Sequence, residues 1–99
     1  MEHFNKLTPA EAERLAMLAE ECGEVIQIVG KILRHGYDSY HPVNPRLTNR
    51  DLLANELRDV NAILQAMGRY ELANYSVHDW IGVWERKLKF THHQEARHE

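Results

Sequence analysis

Three carboxylates within five residues constrain this chain most, because they interrupt a segment whose apolar residues recur with helical spacing. They belong to Glu20, Glu21 and Glu24. On a helix, residues three and four apart share a face, so Glu24 neighbours both of the other two. Like charges at this spacing repel each other by roughly a few tenths of a kcal/mol per pair. A positive charge is therefore expected beside them.

A second acidic pair, Glu56 and Asp59, lies three residues apart in another apolar-periodic segment. With about 100° per residue, Glu56 falls inside an apolar stripe centred near Val60 and Met67, and Asp59 lies at its edge. A carboxylate on an apolar face is costly unless it is paired or binds a metal. Two such pairs on facing helices would form an oxygen-lined site for a hard divalent cation.

The first apolar stripe is predicted to centre near Val29 and Cys22, with Glu21 at its edge. Cys22 is then expected to point toward the core as a small apolar residue. An alternative remains open at this point, because lysine or arginine could neutralise the acids without a metal. The basic residues available for this are Lys31, Arg34, Lys87 and Lys89.

Capping signals define the helices. Thr8, Pro9 and Glu11 form a capping box with proline at the first helical position, and Gly36 is a natural stop. The segment 37–47 contains two prolines and is predicted to be a loop, long enough to suggest a functional role.

The second helix is predicted to start at Thr48, which caps it, and to end at Gly68. Residues 69–75 fit either a turn or a short helix, and 76–79 resemble a third cap. A last helix then carries one apolar stripe: Val77, Trp80, Ile81, Trp84 and Leu88. The fold class expected is all-α, a bundle of about four helices in one domain over 1–99, with 91–99 as a flexible tail.

The composition limits the partners, the cellular compartment and the oligomeric state expected for the protein. The chain has 99 residues and a net charge of −3, with no basic stripe, which argues against a nucleic-acid polymer as partner. A single cysteine fits a reducing compartment, and no apolar run is long enough to span a bilayer, so a cytoplasmic protein without a membrane partner is expected. A core this small also favours a homodimer or homotetramer.

The double motif resembles that of the MazG-like all-α nucleoside triphosphate pyrophosphohydrolases, relatives of the dimeric dUTPases and phosphoribosyl-ATP pyrophosphatases. The family pattern E-E-x-x-E, followed by E-x-x-D on the next helix, reads here as 20–24 and 56–59. The resemblance to this family is clear over residues 9–67 and weak over residues 84–90. The segment between the motifs is somewhat longer than in compact members, and 30–36 looks like small phage- and bacterium-encoded ones.

The resemblance implies hydrolysis of a (d)NTP to the monophosphate and pyrophosphate, with Mg²⁺ as cofactor and Mn²⁺ able to substitute. It places the metal ligands on Glu21, Glu24, Glu56 and Asp59, and Glu20 or Glu24 would accept the proton of the attacking water. The residues expected to contact the substrate are Lys31, Lys87, Lys89, Tyr37 and Trp84, with Arg86 competing for the role of the last-helix lysines.

Other interpretations remain open. The chain could be a non-catalytic helical oligomer or regulatory binding module that keeps only the fold. Within the same superfamily it could hydrolyse (p)ppGpp or phosphoribosyl-ATP.

Overall fold

A computed structural model describes residues 4–73, 75 and 78–94 of the chain. The regular elements formed by those residues are all helices, with no named strand, which confirms the all-α class. They contain three α-helices rather than the four or so predicted, and a short 3₁₀ turn. The helices are α1 (Pro9–His35), α2 (Asn49–Tyr70) and α3 (Trp80–Lys87), and the 3₁₀ turn spans Leu88–Phe90.

Both long helices begin with a capping box, which was predicted for α1, whereas for α2 only the cap at Thr48 was predicted. The Thr8 hydroxyl accepts a hydrogen bond from the Glu11 backbone N–H at 3.1 Å, and the Glu11 carboxylate accepts one from the Thr8 N–H at 2.7 Å. Thr48 and Asp51 repeat this arrangement at the start of α2. These bonds satisfy N–H groups that have no partner within the helix.

The helix ends are only partly as predicted. α1 stops at Gly36, whose positive φ of 89° suits glycine and whose N–H reaches the Ile32 carbonyl at 2.7 Å. α2 continues past the predicted stop at Gly68 to Tyr70, because that glycine adopts ordinary helical geometry. Of the predicted third cap, 76–77 lie outside the described residues, and Asp79 makes no capping hydrogen bond.

α1 and α2 pack against each other as an antiparallel hairpin. At one end, the buried Asn49 side chain donates to the Gly36 carbonyl at 3.2 Å. At the other end, the Arg14 guanidinium forms an ion pair with Glu71, and its Nε lies 2.7 Å from that carboxylate. Polar contacts therefore fix both ends of the interface.

The α1 side of this interface is a row of residues that we call the inner seam. They are separated alternately by three and four positions, as in a heptad repeat, and none of them is fully exposed. The inner seam consists of Glu11, Arg14, Leu18, Glu21, Val25, Ile28 and Ile32.

The inner seam shows that the apolar stripe predicted for α1 was placed on the wrong side of the helix. Cys22 is exposed and Val29 is 41 % exposed, so the core lies on the side of Ile28 instead. The prediction for α2 is confirmed, since Met67 is buried and Val60 is half-buried. Glu21 and Glu56 therefore both lie in the interface between the helices.

The segment 37–47 is a loop, as predicted, and the start of α2 holds it in place. The N–H of Asn49 bonds to the Ser39 carbonyl and that of Arg50 to the Tyr37 carbonyl, each at 2.8 Å. Tyr40 and Thr48 form an isolated antiparallel bridge. The loop therefore folds back over the end of the hairpin.

α3 stands apart from the hairpin. No Cα atom of α3 lies within 8 Å of a Cα atom in α1 or α2, although α3 does contact the 3₁₀ turn. The radius of gyration is 17.3 Å, against about 13 Å for a typical compact domain of this length. None of the described helices is long and apolar enough to cross a membrane.

Candidate metal centre

Three carboxylates converge in the α1–α2 interface. Glu21 and Glu24 approach from successive turns of α1, and Glu56 approaches from α2. Each offers an oxygen, and these three oxygens lie within 4.8 Å of one another. All three residues are half-buried, and the helices bring together acids that are far apart in sequence. The spacing in the sequence predicted this convergence.

The electrostatics of the cluster show how strongly the carboxylates interact. A hydrogen bond with Glu24, together with burial and the charges of neighbouring acids, raises the pKa of Glu56 to about 7. Burial, and then the charge of Glu24, raises the pKa of Glu21. Both shifts disfavour the ionised carboxylates, because full ionisation would place closely spaced negative charges at the centre of the hairpin.

No basic side chain among the described residues neutralises this charge. Their salt bridges join Arg14 to Glu71 and Arg50 to Asp38, and neither involves the cluster. One oxygen of Glu21 and one of Glu56 are buried without a hydrogen-bond partner. Unsatisfied, converging carboxylate oxygens are the donor set that a hard cation such as Mg²⁺ prefers. The cluster fits a divalent metal better than the alternative of lysine or arginine partners.

The two other predicted acids lie at the margin of the cluster. Asp59 is exposed and lies outside the group of three converging oxygens, but its charge contributes to the raised pKa values of Glu21 and Glu56. Glu20 is also exposed, and its charge contributes weakly to the raised pKa of Glu21. Both are therefore close enough to act on a ligand bound at the cluster.

Lys31 lines a cavity of about 310 Å³ between the end of α1 and the loop. It lies seven residues beyond Glu24, which is about 10 Å along a helix. The cavity also contains the side chains of Arg34, His35 and His41, and Tyr40 supplies an aromatic ring. This combination of basic and aromatic groups suits a ligand with an anionic part and a flat ring.

The other predicted substrate-binding residues are not in this cavity. Tyr37 lies outside it and stacks under the Arg50 guanidinium, 4.5 Å from the ring centre. Trp84 and Lys87 belong to α3 and Lys89 to the 3₁₀ turn, apart from the acidic cluster of the same chain. Lys87 and Arg86 instead line a separate cavity of about 360 Å³.

Several residues of the site region were not predicted. Asn49 is buried, and its bond to Gly36 fixes the entrance to α2 beside the cavity. Arg34 and His35 were not selected as substrate-binding residues, although the cavity places them beside Lys31. Their positions three and four residues after Lys31 on the same helix are a signal that could have identified them.

No protein-family model, curated protein or solved structure matches the chain.

Proposed function

We propose that this chain is a MazG-like all-α nucleoside triphosphate pyrophosphohydrolase that depends on a divalent cation. The observation that carries the proposal is the convergence of Glu21, Glu24 and Glu56, with two buried oxygens that have no partner. Two facing helices that each contribute acids at i,i+3 spacing match the double motif of that family. The substrate proposed is a (d)NTP, and the products are the monophosphate and pyrophosphate.

Glu21, Glu24 and Glu56, with Asp59 at the margin, would hold Mg²⁺, and Mn²⁺ could replace it because both accept oxygen ligands. The bound cation would neutralise phosphate charge and make a water molecule more acidic. The exposed carboxylate of Glu20, or the part of Glu24 left free, would accept the proton from the attacking water. In this scheme the helices serve to hold the carboxylates in place before substrate arrives.

The cavity beside the loop would hold the rest of the nucleotide. Lys31 and Arg34 would contact phosphate oxygens, and Tyr40 would stack on the base. Glu24 and Lys31 are separated by about 10 Å along the axis of α1, so a nucleotide bound at both would extend along this helix from the acidic cluster to the cavity. The assembly proposed is a homodimer or homotetramer, in which a second chain could bring Trp84, Lys87 or Lys89 to the substrate.

The test is a panel of nucleotides incubated with Mg²⁺, with the products identified by chromatography. We expect release of pyrophosphate rather than orthophosphate from at least one (d)NTP. Glu24→Gln should abolish it, and Glu13→Gln is the matched control because Glu13 is an exposed acid on the same helix. If no nucleotide in the panel is cleaved, the enzymatic proposal is wrong; (p)ppGpp and phosphoribosyl-ATP belong in the panel as alternative substrates.

A second candidate function is a non-catalytic helical oligomer or regulatory binding module. The large exposed apolar surface favours it, since Ile26, Leu33 and Phe90 are each more than two-thirds exposed. Metal-dependent stabilisation without turnover of any nucleotide would support this candidate over the enzyme.

A further inference from the structure

A second apolar row, which we call the outer seam, lies about 100° around α1 from the inner seam. Its members are separated alternately by four and three positions, the spacing with which one helix packs along another. All of them are exposed, and Ile26 and Leu33 are 71 % and 82 % exposed. The outer seam consists of Leu15, Ala19, Cys22, Ile26, Val29 and Leu33.

This row is self-complementary about its midpoint. For every member of the outer seam, another member lies at the same distance on the opposite side of Glu24. A second copy of α1, running antiparallel and centred at the same residue, would therefore bring apolar residues together in every layer. The layers would pair Leu15 with Leu33, Ala19 with Val29, and Cys22 with Ile26 of the other copy.

The solvent-accessible surface of one chain is larger than expected for a folded monomer of its mass. The chain exposes 8553 Å², whereas a folded monomer of its mass exposes about 5800 Å². For two chains the difference is about 5500 Å², at the upper end of the total area of roughly 2000–5000 Å² or more that obligate homodimers bury. Only Ile28 and Met67 are buried apolar residues within the described part of one chain. A single hairpin of this kind lacks the core that a stable domain needs.

We propose that two copies of the chain associate through their outer seams, with α1 antiparallel to α1 and a two-fold axis that crosses the seam at the axial level of residue 24, between Cys22 and Ile26. The inner and outer seams lie on adjacent sides of α1, so each α1 would contact its own α2 and the other copy's α1. Ala16, Gly23 and Gly30 border the outer seam at seven-residue intervals, and a Cβ atom on Gly23 would meet no atom within 4 Å. These small residues leave room for the second backbone. The proposal is independent of any catalytic activity.

Sedimentation equilibrium tests the association. Ile26→Glu places a charge in the central layer, and the two-fold axis repeats it, so the dissociation constant should rise by roughly a thousandfold or more. Gln27→Glu adds the same charge to the neighbouring residue, which is exposed about 100° around the helix from Ile26 and outside the seam, and should leave the dimer intact. A monomeric parent chain at micromolar concentration, or equal effects of the two variants, would overturn the proposal.

Cross-linking tests the register and does not depend on a variant that could fail to fold. In a Cys22→Ser background, Leu15→Cys and Leu33→Cys introduce thiols that lie about 27 Å apart along one helix. Under mild oxidation, the antiparallel seam should give a covalent dimer in which position 15 is joined to position 33 of the other copy. Disulfides joining 15 to 15 and 33 to 33 would indicate a parallel pair and overturn the proposal. The absence of any covalent dimer would show that another element or protein covers the seam, which also overturns it.

Discussion

The carboxyl groups of Glu24 on α1 and Glu56 on α2 meet across the hairpin interface, close enough to share a hydrogen bond. A shared proton can hold two carboxyls together, but it removes one of the charges that would bind a cation. Protons and divalent metal ions therefore compete for the same oxygens. The stability of the hairpin should depend on which of them is present.

Removal of the divalent cation should destabilise the protein. A ligand that binds only the folded state adds about 2.7 kcal/mol at a hundredfold excess over its dissociation constant. We therefore expect a higher melting temperature at pH 8 in saturating Mg²⁺ than in EDTA. Added NaCl of equal ionic strength is the control, because screening alone also weakens repulsion between the acids. Coincident melting curves in Mg²⁺ and EDTA would refute a cation site.

The metal-free protein should lose stability as the pH rises from 5.5 to 8. The pKa of Glu56 is about 7 in the folded chain and near 4.5 in the unfolded chain, so between these values the folded state holds an extra proton. Its contribution to stability is complete below about pH 4.5 and is lost as the pH passes through 7. The raised pKa of Glu21 acts in the same direction.

Melting temperatures measured in EDTA across this pH range check the prediction. Glu56→Gln is the control, since it should flatten the pH dependence and leave every other titrating group in place. The window avoids lower pH, where hydrogen bonds from Thr8 and Thr48 lower the pKa values of Glu11 and Asp51. Protonation of those caps would reduce stability and oppose the trend. A melting temperature that rises between pH 5.5 and 8 would contradict the prediction.

Asn49→Ala should destabilise the hairpin by about 1–3 kcal/mol, because the Gly36 carbonyl loses its side-chain donor and a buried group is removed. The loop begins at this point, so the cavity beside Lys31 should also be disturbed. Asn61→Ala is the matched control, since Asn61 is an exposed asparagine of the same helix. Urea unfolding of both variants gives the two free energies, and equal values would show that the Asn49 bond contributes nothing.

The local features of this fold were predictable from the sequence, and the packing of α1 was not. Caps such as Thr8 with Glu11 depend on residues three positions apart, so their geometry follows from the sequence alone. The apolar sector of α1 is wide enough for two seams. The predicted centre, Val29, belongs to the outer seam and lies on its edge toward the inner seam, so averaging the pattern misplaced the core, which lies at Ile28. Only the position of α2 decides which seam is covered within one chain.

The acidic cluster was easier to predict than the cavity beside it, because its acids stand out within the helical pattern whereas the cavity depends on contacts between distant parts of the chain. Glu56 was conspicuous because a charge on an apolar face requires compensation, and the structure places it beside Glu21 and Glu24. The cavity depends on how 37–47 folds back on α2, through backbone bonds that no residue pattern specifies. The pairing of Arg14 with Glu71 likewise joins residues distant in sequence.

Glu56→Gln separates a metal ligand from a structural acid. The substitution keeps the shape and hydrogen-bonding capacity of the side chain but removes one negative charge from the cluster. If the acids hold a cation, turnover should fall about 100-fold or more, because charge is lost where phosphate must be neutralised. The melting temperature in EDTA should stay the same or rise, since Glu56 no longer repels Glu21 and Asp59.

The melting temperature in EDTA should fall rather than rise if Glu56 instead stabilises the fold by pairing with a basic side chain of the protein. Its partner would then be left uncompensated, and the metal-free variant would melt at a lower temperature. Activity would fall only in proportion to the unfolded fraction. Turnover in Mg²⁺ and melting in EDTA, measured on the same preparation, distinguish the two cases. Lower metal-free stability with full turnover in the folded fraction would reject Glu56 as a metal ligand, and Glu13→Gln should change neither quantity, because Glu13 is exposed on α1.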